Sequence, residues 1–318
     1  MASDDPAGTD TTETPAGPSD DASPEVAATD APAAKSDERS ATTDRSATTG
    51  PPGAEPESKP AAPRRFAGAV SLGFSLANTG FLARASIVIA VLTTLGAVAF
   101  ALAMSHEDAP PFASLPGITA SALAWGAGFL FAVAASARAF ERDEKDGIRF
   151  LARTRGLSLG TYTIGRVFGL AITLALIVGI GSVVTGGVCA ALAHGSRLAV
   201  GKATLASVAY ALAFGILVAP LAAATLGARA RGTGYLILIA LLIIPEVMQG
   251  SLDSLPERWR GLFGIPSAMT SLRDALSPAH VDLPLAAAAA AVILLVSFVA
   301  LLFAFEQAMR ASRTAESQ

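Results

Sequence analysis

Six stretches of mostly apolar residues, each near the length a helix needs to cross a bilayer, constrain this chain more than any other feature. A hydrocarbon core of about 30 Å takes about 20 residues of helix. Runs of that order cover 86–104, 118–137, 167–193, 204–227 and 283–305. A shorter run, 234–248, is interrupted by Pro245-Glu246. In lipid, a helix is the one element that satisfies every backbone N–H and C=O within a single segment. The expectation is an all-α integral membrane protein with six transmembrane helices. Composition agrees: the chain is 52% hydrophobic and 15% charged, with a mean hydropathy of +0.52. That is too apolar for a surface in water.

Residues 1–65 are of another kind. Their only large apolar side chains are Met1 and Val26, and they hold ten of the 19 prolines. Such a segment cannot bury enough apolar area to offset its ordering entropy, which predicts a disordered tail. It is acidic, with 13 acids against six bases, and the remaining chain is basic. It lacks a basic start followed by an apolar stretch, so it is not expected to act as a cleaved signal peptide. From 66 to 83 the pattern changes again. Phe66, Val70, Phe74, Ala77 and Phe81 stack on one helical face, with Ser, Gly, Asn and Thr opposite. That pattern predicts an amphipathic helix in the membrane interface.

Loop charge predicts the orientation. With the N-terminus in the cytoplasm, the inner 138–166 loop holds Arg138, Arg142, Lys145, Arg149, Arg153, Arg155 and Arg166. The inner 228–233 turn adds Arg229 and Arg231, and the 307–318 tail adds Arg310 and Arg313. The outer 105–117 loop has no Lys or Arg, and in the outer 249–282 loop acids outnumber bases. Each inner segment is richer in bases per residue than its outer neighbours, as the positive-inside rule requires. Both termini are expected in the cytoplasm.

The residues that could carry chemistry are few. One cysteine, Cys189, and three histidines make a disulfide framework or a structural metal site unexpected. The segment from Gly195 to Ala203 resembles a phosphate loop in outline. It has one residue too many between its glycines, and Ala203 stands where a Mg²⁺-binding hydroxyl is needed. No catalytic residue, no metal and no cofactor is expected, and without a basic stripe interleaved with aromatics no nucleic acid is either.

The most informative segment follows the second span. Glu141-Arg142-Asp143-Glu144-Lys145-Asp146-Gly147 is a mixed-charge cluster, and Phe150-Leu151 is an apolar pair. Gly156-Leu157-Ser158 then turns the chain back, and Gly165-Arg166 opens the third span. This order suggests a short amphipathic element beside the membrane. It resembles the membrane-spanning permease subunits of type-2 ABC exporters, in which a charged cluster, a Gly, an apolar pair, a turn and a Gly-Lys pair follow the second span. The resemblance extends over residues 66–318: an interfacial helix, six spans and a long last outer loop. It implies a permease half in the bacterial inner membrane, working as a homodimer or heterodimer with a separate ABC ATPase subunit. It places Glu141, Glu144, Gly147, Phe150 and Leu151 at the ATPase contact, and it implies short outer helices within 251–276.

Glu246 is the other candidate. It falls about 18 Å along the fifth span, past the midplane. A carboxylate there is expected to line a cavity, to meet a cation or to be protonated, unless the helix ends early and leaves it among headgroups. A non-transporting scaffold or assembly factor, working through the 65-residue tail, is the alternative reading; a secondary carrier would need an internal repeat that the sequence does not show.

Overall fold

The computed structural model describes residues 62–106, 111–193, 195–228, 232–252, 255–277 and 281–316. The tail expected over 1–65 lies almost wholly outside them. The chain is an all-α, multi-pass membrane protein: among the described residues, six helices are long and apolar enough to cross a bilayer.

The helix α1 (Ala62–Ala77) precedes the first span, α2 (Phe81–Ala103). The second span is built from α3 (Leu115–Leu123), a π turn at Ala124–Gly128, and α4 (Phe129–Ser136). Two short helices follow, α5 (Ala139–Lys145) and α6 (Ile148–Thr154). The third and fourth spans are α7 (Leu159–Leu192) and α8 (Arg197–Leu226), and α9 (Gly232–Met248) is the fifth. After α10 (Glu257–Arg260) and α11 (Ile265–Ala275), the sixth span is α12 (Leu283–Glu316).

The core lies along α8, whose most apolar stretch is 72% buried, against 11% for α2 and 17% for α9. Tyr210, Phe214, Leu217 and Leu226 of α8 are enclosed by neighbours from α3, α4 and α7. The apolar side chains of α2 and α9, such as Val88, Leu92, Leu236 and Ile243, point outward. In a bilayer those faces meet lipid without cost.

Several boundaries differ from the sequence reading. The interfacial helix of 66–83 ends at Ala77, because Asn78 Nδ2 and Thr79 Oγ1 donate to the Phe74 and Leu76 carbonyls and Gly80 caps the next helix. Phe81 therefore opens the first span. The third span starts at Leu159, within the segment read as loop, because Ser158 Oγ accepts from Thr161 N at 3.1 Å and caps it. The fifth span runs on through Pro245 to Met248. A single proline forfeits one helical bond, and the residues after it still donate to their own partners. The segment read as a cytoplasmic tail from 307 continues α12 to Glu316, and Asp282 caps the start of that helix through Leu285 N.

Three glycines allow α1 to cross α7 at backbone distance. Ala69, Gly73 and Ala77 form the buried stripe of α1. A Cβ on Gly73 would run into the Gly165 carbonyl, and one on Gly165 or Gly169 would run into the backbone of α1. The aromatic face of the sequence reading turns away from this crossing: Phe66 and Phe74 stay half-exposed, although Phe66 meets Phe168 edge-on at 6.1 Å. Small residues thus hold α1 to the bundle at this crossing, with Leu72 packed against the core beside them.

Candidate functional site

The hairpin α5–α6 carries all five residues singled out after the second span. Two left-handed residues shape it. Arg138 (φ +54°) turns the chain out of α4, and Gly147 (φ +69°) joins α5 to α6. For a residue with a Cβ this conformation costs about 1–2 kcal/mol, so neighbours must enforce it at Arg138. They do. Arg138 N and Phe140 N donate to the Leu226 and Gly227 carbonyls at 2.9 Å, completing the end of α8. The Phe140 ring is buried against Gly227, where any Cβ would clash with it.

One buried ion pair then fixes the hairpin to the bundle, and a second, partly buried pair ties its two helices together. Asp143 on α5 is 2% exposed, and its Oδ2 lies 3.2 Å from Nε of Arg166, itself nearly buried on α7. The Tyr162 hydroxyl, one turn before Arg166, donates to the same carboxylate oxygen. Arg166 Nη1 donates onward to the Gly73 carbonyl of α1 at 3.3 Å. One guanidinium therefore joins the hairpin, the third span and the helix before the first span.

The second pair lies on the far side of the hairpin. Arg149 of α6 is 3% exposed and sits 2.6 Å from Glu144 of α5. It also donates to the Ala308 carbonyl of α12 at 3.2 Å. A buried pair adds little net stability against an apolar substitute, but losing one partner costs about 3–5 kcal/mol. Such pairs fix geometry.

Of the predicted residues, the apolar pair faces outward. Phe150 is 69% and Leu151 56% exposed, on the side of α6 away from Arg149. Glu141 bridges Lys145 at 3.0 Å and Arg138 at 3.9 Å. Glu144 is engaged inside the fold through Arg149. The structure thus gathers Glu141, Glu144, Gly147, Phe150 and Leu151 on one hairpin, with different surroundings for each.

Glu246 stands apart, at the opposite end of α9 from the turn that leads in from α8. Its carboxylate accepts from Gln249 Nε2 at 2.9 Å, from the Ser267 hydroxyl, and from Ser267 N at 3.3 Å. Ser267 is in the first turn of α11, where the helix has unpaired N–H groups and a positive dipole end. Of the surroundings left open by the sequence, the carboxylate meets hydrogen-bond donors, and it ties α11 to α9.

Sequence reasoning missed Asp143, Tyr162 and Arg166 as a set, along with Phe140 and Arg149. The spacing of Tyr162 and Arg166, four residues apart at the start of a span, was the available signal. It also missed a second polar group at the other end of the bundle. There Arg273 Nη1 donates to Ser121 Oγ at 2.9 Å and to the Gly117 carbonyl at 3.2 Å, and its guanidinium lies 5.7 Å from the Tyr210 ring centre. Trp125, on the π turn, donates to the Tyr210 hydroxyl at 2.9 Å.

No family model matches the chain. No curated protein matches it either.

Proposed function

We propose that this chain is the membrane-spanning half of an ATP-driven exporter, coupled through α5–α6 to a separate ABC ATPase subunit. It would pair with a second permease half, identical or related, in the bacterial inner membrane, with both termini in the cytoplasm. The observation that carries this reading is the hairpin itself. Its framework is bonded to α7, to the end of α8 and to α12, while two large apolar side chains on it are left uncovered. A passive loop has no need of a buried ion pair to the bundle and a second pair across its own two helices; a lever must be stiff at the bundle and open at the tip. Force applied at Phe150 would reach α7 through Asp143–Arg166 and α12 through Arg149. Movement between two packings of the bundle then needs only a difference in ligand affinity between them.

The test uses the full chain, purified in lipid nanodiscs from its own host. Recovery with an ATPase whose hydrolysis rises in its presence, and loss of both in the Phe150→Ala, Leu151→Ala variant, supports the reading. Purification without an ATPase, together with normal function of that variant, contradicts it.

A further inference from the structure

The fourth span, α8, carries a proline in its interior. Pro220 has no N–H, so the Ile216 carbonyl loses its helical donor, and the proline ring crowds that carbonyl. Among the described residues no side chain donates to it. In hydrocarbon no water supplies the missing bond. A helical carbonyl points toward the residue four positions on, so this acceptor lies along the face that Ile216 shares with Leu212 and Pro220.

That face is one wall of a groove between α7, α8 and α12, with a cavity volume of about 380 Å³. Phe168 and Ile172 of α7 and Phe298 of α12 line the rest and stay exposed, so the groove opens sideways to lipid. Ser297 is the one polar side chain among the described lining residues. It is nearly buried, and its hydroxyl donates to the Ile293 carbonyl at 2.6 Å, which uses its hydrogen and leaves its lone pairs. Ser297 lies about 21 Å along α12 from Leu283, inside a hydrocarbon core of about 30 Å. The polar groups of the groove are therefore two acceptors at a depth that water does not reach. A plain hydrocarbon chain fits the lining and leaves both acceptors unpaired. An ester or ether brings only further acceptors, and an ammonium group carries a charge into hydrocarbon. An apolar body with one O–H meets the lining and the acceptor together.

We propose that this groove binds a lipophilic alcohol dissolved in the bilayer, its hydroxyl donating to the Ile216 carbonyl and its hydrocarbon body lying along Phe168, Ile172 and Phe298. The volume falls within the roughly 300–1,000 Å³ of small-molecule sites. The site rests on α7, α8 and α12 alone and stands whether or not the chain couples to an ATPase.

The experiment uses the full chain in lipid nanodiscs and hexadecanol carrying a diazirine in its chain. After irradiation, peptide mass spectrometry should find the label in 167–175, 212–220 and 294–301. Unlabelled hexadecanol should suppress that label at an about tenfold lower mole fraction than its methyl ether, which has the same body and no donor. Pro220→Ala gives the Ile216 carbonyl a backbone donor. The label should then persist while the preference for the alcohol falls to about twofold or less. Ala171→Phe, which fills the groove, should remove the label. Thermal midpoints show whether both variants fold, and the comparison of alcohol with ether in the unaltered chain needs neither of them. Equal suppression by alcohol and ether would give the groove to ordinary acyl chains and overturn the proposal. So would a label spread over all six spans, or a tenfold preference kept by folded Pro220→Ala. Disulfide joining of two Phe298→Cys chains across the groove would give it to a second copy and overturn the proposal as well.

Discussion

Asp143 on α5 and Arg166 on α7 meet at 3.2 Å with both side chains almost fully buried, and Arg166 also holds the Gly73 carbonyl of α1. Removing either charge leaves the other without its partner in a poorly solvated place. Arg166→Met or Asp143→Asn alone should therefore lower stability by about 3–5 kcal/mol. The double variant should lose less than the two single losses added together. Thermal unfolding of the four proteins in nanodiscs measures the difference.

Phe150 and Leu151 contribute little to the fold because so much of each is uncovered. Changing both to Ala should shift stability by no more than about 0.5 kcal/mol. If the proposed coupling holds, ATP hydrolysis by the partner subunit should nevertheless fall. A large drop in the unfolding temperature would show instead that the pair is packed against something.

Gly147 has open space where a Cβ would point but a φ of +69°, so size and conformation can be separated there. Gly147→Ala should cost about 1–2 kcal/mol, and Gly147→Asn, which tolerates the left-handed region, should cost less. Hydrogen exchange across 139–154 reads the effect, since fraying of α6 would raise it locally.

Glu246 should behave as a helix cap. Glu246→Ala removes acceptors for Ser267 and Gln249 and should cost about 0.5–2 kcal/mol, with faster amide exchange confined to 265–275 and its neighbours. Gly264→Ala should give the same pattern, because its Cβ would meet the Glu246 carboxylate.

The spans were legible because the bilayer imposes one rule on every residue in them, and a local count of apolar residues captures that rule. Helix ends depended on single bonds, such as Ser158 to Thr161 or Asp282 to Leu285, that hydropathy does not encode. Within the hairpin the sequence announced a charged cluster and an apolar pair. Which acid would be buried was not legible, because Asp143 and Glu144 are neighbours and differ only in the direction each faces on a two-turn helix. That direction is set by Phe140 packing on Gly227 and by Arg166 arriving from another helix, both long-range. Glu246 was recognisable as a costly carboxylate, but its partner lies on α11, across a loop whose path the sequence leaves open.

The most direct measurement is the side of the membrane on which α5–α6 lies. The one native thiol, Cys189, is buried, so a cysteine placed at Phe150 would be the accessible one. A membrane-impermeant maleimide should label it in inverted vesicles and leave it unlabelled in right-side-out spheroplasts. Labelling from the outside would put the hairpin where no ATP-hydrolysing subunit can reach it and would contradict the coupling role.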